Sequence, residues 1–184
     1  TGVWPISLEI AGARLSLNQD GSVQLQVGAT EIGQGADTVF SQMAAETLHM
    51  DISRVHIVTQ QDTDVTPFDT GAYASRQSFV TGTAVKECAQ QLKQKILEYA
   101  RTLVPGNELE DGYILADGKP AISLEDLAME SYYSLSNSSV LTAEVSRQVK
   151  KNTVASGCCF AEVEVDMKLG KIKVLDIVNV HDSG

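Results

Sequence analysis

An α+β fold of two layers, with β-hairpins forming a sheet and helices packed on one face of it, is what these 184 residues predict. Short runs that alternate apolar and polar residues around glycine-containing turns lie towards both ends of the chain. Between them, two longer stretches repeat their apolar residues every three or four positions. Along residues 1–104 the pieces follow one another as hairpin, loop, helix, strand, loop, helix: a ββαβα-type unit.

Each element has its own signal. "ARLSLN" (13–18) alternates, "QDGS" turns the chain, and "SVQLQVG" returns it with Val23, Leu25 and Val27 on one face. After a Gly-rich loop, Val39, Phe40, Met43, Ala44, Thr47 and Leu48 form one buried stripe of a helix, which "MDISR" ends. "VHIVTQ" (55–60) reads as a short strand, and a polar loop with proline and glycine runs from Gln61 to about Tyr73. Val85, Ala89, Leu92, Ile96, Tyr99 and Leu103 mark a long helix closed by Pro105 and Gly106. From 105 to 184 the expectation is short helices plus a C-terminal β-hairpin. "DGYILADGKP" suggests a strand pair, and "SLEDLAMES" a helix capped by Ser123 with Asp126 three residues on. "VLTAEVSRQVKKN" is polar and carries no clear period. "SGCCFAEVEVDMKLGKIKVLDIVNV" is a hairpin turning at Gly170, its "EVEVD" carboxylates a solvated alternation.

Composition narrows the function. The chain is 43% hydrophobic and 21% charged, as in a soluble globular protein. A net charge of −10 argues against a nucleic-acid partner, and no apolar run is long enough to span a membrane. The start, "TGVWPISLEI", has neither Met nor the basic segment of a signal peptide, and the far end stops just past a strand-like run. An internal piece of a longer chain is expected. Cys88, Cys158 and Cys159 have no CxxC spacing and are expected to be reduced, buried thiols, with the cytoplasm as the default location.

Two loops attract attention. Gly28 to Gly35 leads from a strand into a helix N-terminus, where free N–H groups and the helix dipole favour an anion. Its glycines let backbone approach a ligand, and Gln34 offers an amide suited to a heterocycle edge. The spacing is neither a P-loop nor a dinucleotide fingerprint, so a structural turn stands equal to a ligand loop. "DTGAYASRQS" (69–78) is a second small-residue loop ahead of a helix, with Arg76 able to pair with a phosphate or ring oxygen. Together they could hold one elongated ligand with an anionic end. Catalytic groups are scarce: His49, His56 and His181 are scattered without metal-ligand spacing, and Ser41 and Ser75 lack a nucleophile elbow.

"GATEIGQGADTVFSQMAAETL" followed by "DTGAYASRQSFVTGTAV" resembles the molybdopterin-binding subunit of the xanthine dehydrogenase and aldehyde oxidase family. "LNQDGSVQLQVGATEIGQG" and "CFAEVEVDMKLGKIKVLDIVNVHDSG" extend the resemblance over most of the chain, which thins between about 105 and 150. It implies a molybdenum cofactor-binding domain-like fold and a fragment, 1–184, of a molybdenum hydroxylase. Such enzymes use a pyranopterin-dithiolene molybdenum centre to hydroxylate an electron-poor carbon, and pass electrons through [2Fe-2S] clusters to FAD on partner domains or subunits.

By position, Gly33, Gln34 and Gly35 would contact the pterin. Tyr73, Ala74, Ser75 and Arg76 would line the dithiolene, with Ala74 a backbone neighbour of the metal rather than a side-chain ligand. The family's catalytic glutamate lies downstream of this stretch and its G-G-x-F-G-type loop upstream. Glu31, Glu46 and Glu87 do not match that glutamate, so no catalytic residue is expected in this piece and the remainder of the molybdenum subunit must supply one. The implied substrate is a purine such as hypoxanthine or xanthine, with an aldehyde, another N-heterocycle or a CO-dehydrogenase-type reaction as alternatives; Trp4 is a candidate for touching it. The competing readings are a stand-alone anion-binding module and a purely structural domain.

Overall fold

The computed structural model describes residues 9–150 and 156–182. In chain order its elements are β1 (Ile10–Leu17), β2 (Val23–Val27), α1 (Ala36–Leu48), β3 (Val55–Ile57), α2 (Gln77–Ala100), β4 (Glu108–Glu110), β5 (Tyr113–Ala116), β6 (Lys119–Ser123), α3 (Leu124–Tyr133), β7 (Thr142–Gln148), β8 (Ser156–Asp166) and β9 (Lys171–Asp182).

The main sheet has the order β3-β2-β1-β7. β1 and β2 form the first hairpin with Leu15 opposite Leu25, and Gly21 takes a positive φ of 72° in its turn. Ala11, Ala13, Leu15 and Leu17 alternate inward on β1, as do Val23, Leu25 and Val27 on β2, so one face of the sheet is apolar. The two longer helices cover that face. α1 contributes Phe40, Ala44 and Leu48; α2 contributes Val80, Ala84, Val85, Ala89, Leu92 and Ile96. This is the expected two-layer α+β arrangement.

The polar stretch after residue 140 becomes β7, which pairs antiparallel with β1 along its whole length and extends the sheet beyond the 1–104 unit. Only Ala143 and Val145 of this edge strand face inward to full burial, which is why its sequence shows no clear period. α2 starts at Gln77 rather than near Val85, because Gln77, Thr81 and Gly82 carry its buried stripe with residues that a count of apolar side chains overlooks. It ends at Ala100, and Leu103 lies beyond it, exposed. The "DGYILADGKP" pair gains a third strand, β4, and Ser123 caps α3 as anticipated, its Oγ accepting the Asp126 N–H at 3.0 Å.

The β8–β9 hairpin turns through Gly170 and is exposed along both strands. That corrects the expectation for the cysteines. Cys88 is buried on α2, its thiol pushed up to about 11 by burial, whereas Cys158 and Cys159 ride on the exposed ribbon. Among the described residues, no helix is long and apolar enough to cross a membrane.

Candidate functional site

The loop between β2 and α1 begins where backbone lies against backbone. A Cβ on Gly28 would sit 2.1 Å from the Pro67 carbonyl oxygen, so the strand end and the 61–76 loop touch directly. Farther on, Gly33 and Gly35 hold φ of 96° and 81°, and a Cβ on either would meet nothing within 4 Å. Their backbone faces open space in a conformation that side chains resist.

The mouth of α1 already holds an anion, and it is the chain's own. Glu31 accepts the N–H groups of Gly33 at 2.6 Å, Gly35 at 3.1 Å and Asp37 at 3.1 Å. These bonds, that from Asp37 foremost, hold its carboxyl below the usual glutamate value. The expectation that this helix end keeps its N–H groups for a ligand is therefore corrected at Gly35 and Asp37, whose N–H groups Glu31 takes up.

Gln34 is oriented by its neighbours. Its Oε1 accepts the Ile32 N–H at 2.6 Å, which fixes which end of the amide is oxygen. Its Nε2 donates to the Thr30 carbonyl at 3.0 Å and to Gln77 Oε1 at 2.5 Å. Both amide protons are engaged, so what Gln34 offers a ligand is the second lone pair of Oε1. Gln77, at the start of α2, is held in turn by donating to the Thr30 carbonyl at 3.0 Å.

The second loop is shaped by strain. Gly71 has φ of 115°, and the consecutive non-glycine residues Ala74 and Ser75 both sit in the left-handed region, at 49° and 55°. Each such residue costs on the order of 1 kcal/mol and persists only where its surroundings impose it. Asp69 bridges to Ala11 of β1 and pins the start of this loop to the sheet.

The two loops wall one cavity of about 370 Å³, with Ile32, Gln34 and Phe40 on one side and Tyr73, Ala74, Ser75 and Arg76 on the other. Gly33 and Gly35 flank Gln34 in the chain without lining the hollow itself. Arg76 differs from the expectation of a ligand-facing cation. Its side chain is fully buried and bonded to Glu9 and Asp69, so only its remaining atoms are available to the cavity. A wider groove of about 1150 Å³ between α1 and α2, bordered by Met43, Phe79, Lys86 and Lys93, takes only Ser78 from the two loop motifs.

The other candidates lie apart. His49 ends α1 and meets Glu110 at 2.7 Å on the surface, while His56 and His181 are exposed on β3 and β9. Among the described residues, no three His, Cys, Asp or Glu side chains converge as metal ligands. Trp4 lies outside the described residues. Glu9, Asp69, Gln77 and Thr81, which hold the two loops in place, escaped the sequence reading. Glu9 and Arg76 are 67 positions apart, and no local pattern links them.

The fold is shared with solved enzymes. It superposes on quinoline 2-oxidoreductase from Pseudomonas putida 86 with a TM-score of 0.80, at 20% identity, covering 95% of this chain and 23% of that one. On the Cu,Mo-CO dehydrogenase the TM-score is 0.77 at 23% identity, covering 93% and 22%. The profile of the molybdopterin cofactor-binding domain matches residues 1–184, and the chain belongs to that family. It is 47% identical over 191 residues to the putative xanthine dehydrogenase molybdenum-binding subunit XdhA of Escherichia coli (strain K12), covering all of this chain and 25% of the relative. It is 25% identical to the nicotine 6-hydroxylase large subunit of Paenarthrobacter nicotinovorans, over 94% of this chain and 22% of the relative. The chain thus spans a quarter or less of the length of the curated relatives it matches.

The residues present fit a bulky cofactor. Open glycine backbone at 33 and 35, an oriented amide at 34 and the small left-handed pair at 74–75 leave room for a large heterocycle to lie against main chain.

Proposed function

We propose that this chain forms part of the molybdenum-cofactor pocket of a hydroxylase acting on purines such as hypoxanthine or xanthine. One observation carries the reading. Gln34 and Gln77, 43 positions apart, hydrogen-bond to each other and so draw both family loops around one hollow. The 47% identity to the Escherichia coli subunit supports the purine assignment. Bound, the pyranopterin-dithiolene molybdenum group supplies oxygen transfer and two-electron oxidation.

The chain's own residues bind and orient. Gln34 would hold the pterin through Oε1, with the open backbone at Gly33 and Gly35 beside it. Tyr73, Ala74 and Ser75 would line the dithiolene side, with Ala74 a small backbone neighbour of the metal. Arg76 contributes through its main chain. Residues 1–104 carry both loops, and 105–184 belong to the same fragment. The proton-transferring glutamate comes from the remainder of the subunit, so the piece by itself is inactive; [2Fe-2S] and FAD partners take the electrons, in a cytoplasmic enzyme. Likeness to nicotine 6-hydroxylase favours the second reading, in which another N-heterocycle is the substrate.

The test is Gln34→Ala in the complete enzyme, read by X-ray fluorescence for molybdenum and by turnover on a panel of purines, N-heterocycles and aldehydes. Molybdenum content or turnover is expected to fall by about tenfold or more. Wild-type loading with wild-type turnover would remove Gln34 from the site.

A further inference from the structure

Arg76 joins three parts of the molecule: the residues entering β1, the 69–76 loop and the first turn of α2. Every guanidinium nitrogen donates. Nε reaches Glu9 Oε2 at 2.5 Å; Nη1 reaches Asp69 Oδ1 at 2.5 Å and the Gly71 carbonyl at 2.8 Å; Nη2 reaches the Ile10 carbonyl at 2.9 Å. The carboxylate side chains are buried as deeply as the cation, at 2% and 0% exposure. Their other oxygens are used too. Glu9 Oε1 accepts the Tyr73 hydroxyl at 3.0 Å, and Asp69 Oδ2 accepts the Thr81 hydroxyl at 2.7 Å. The Tyr73 ring lies across the guanidinium, 5.5 Å from centroid to Cζ.

Asp69, Gly71, Tyr73 and Arg76 are all members of this network, and Ala74 and Ser75 are the residues between its last two members. Two adjacent left-handed residues without glycine's freedom need such a frame, because their relaxed backbone lies elsewhere. Stability alone does not account for burying three charges, since desolvation cancels much of their attraction.

We propose that Arg76, clamped by Glu9 and Asp69, is a positioning residue: it imposes the left-handed shape of Ala74–Ser75 that receives the cofactor, and its guanidinium does not touch the cofactor itself. The inference rests on reading this cavity as the molybdenum-cofactor site. Glu9 and Asp69 thereby acquire a role as orienting carboxylates, and Thr81 as the group that orients Asp69.

The experiment compares Arg76→Lys, Glu9→Gln and Gln34→Ala in the complete enzyme. Lysine keeps the charge but lacks the planar fork that serves four acceptors at once. Glu9→Gln keeps the shape and most of the bonding, and so decides the matter should the lysine variant fail to fold. Molybdenum and pterin per subunit, the electron paramagnetic resonance signal of the metal, and the thermal melt are measured.

The clamp variants are expected to keep a cooperative melt, lose molybdenum and pterin about tenfold, and show an altered metal signal in the fraction still loaded. Wild-type loading and signal in both, with Gln34→Ala depleted, would overturn the clamp and leave the cofactor reading standing. Wild-type loading in all three would overturn both. Cofactor loss confined to protein without a cooperative melt would reduce Arg76 to fold support and also overturn the proposal.

Discussion

Glu31 shows how a single side chain redefines a site. The carboxylate sits where a helix terminus attracts anions, and it accepts three backbone N–H groups there. Because its pKa is lowered in the folded chain, it stabilises the fold while ionised, above the ordinary glutamate value, and that contribution disappears as pH falls through the lowered value. Glu31→Gln should therefore melt below wild type at neutral pH, with the gap closing in acid, once the pH has fallen below the ordinary glutamate value. Thermal melts at both pH values check this; a gap of equal size at both would mean that charge is not what holds the loop. Gln34 carries a similar lesson. Neighbours on both sides set its amide, so the polarity it presents is decided before any ligand arrives.

Among the elements, two glycines with short contacts behave differently. A Cβ on Gly82 of α2 would lie 2.6 Å from Met43 Sδ, the flexible end of a side chain on α1. Methionine can yield, and alanine is the better helix former, so Gly82→Ala should stay within about 1 kcal/mol of wild type. Gly28 faces the Pro67 carbonyl instead, and main chain cannot swing aside alone. Gly28→Ala should cost about 1–3 kcal/mol and displace the segment leading to Asp69. Denaturant unfolding of the two variants gives the ranking, and the reverse order would show that the loop, not the helix pair, is the adaptable partner. β7 belongs at this scale too. As an edge strand it buries only Ala143 and Val145 fully and leaves Glu144, Ser146 and Arg147 to solvent, so its identity comes from the neighbouring β1 rather than from its own period.

At the level of the whole molecule, the body and the C-terminal ribbon contrast sharply. Helices α1 and α2 close over the sheet with residues buried to the last few per cent, whereas every residue of β8 and β9 is exposed. Burial is what stabilises, so the ribbon adds little to the body. A chain ending at Lys150 should melt within about 2 °C of the full 184 residues, the shift of a contribution under about 1 kcal/mol. A much larger drop would mean that the ribbon packs on the body in solution. The net charge of −10 over the 184 residues disfavours a polyanionic partner.

Both hairpins, the helix stripes, the Ser123 cap and the two small-residue loops were legible in the sequence, and so was the family, because turn chemistry and periodicity act over a few neighbouring residues. Tertiary structure alone decided that the loops share a cavity, that Arg76 turns inward to Glu9 and Asp69, that Glu31 fills the mouth of α1, and that a polar stretch completes the sheet. Those outcomes depend on pairings between residues as far apart as Glu9 and Arg76, whose meeting is set by how the layers stack and by the need of every buried charge for a partner.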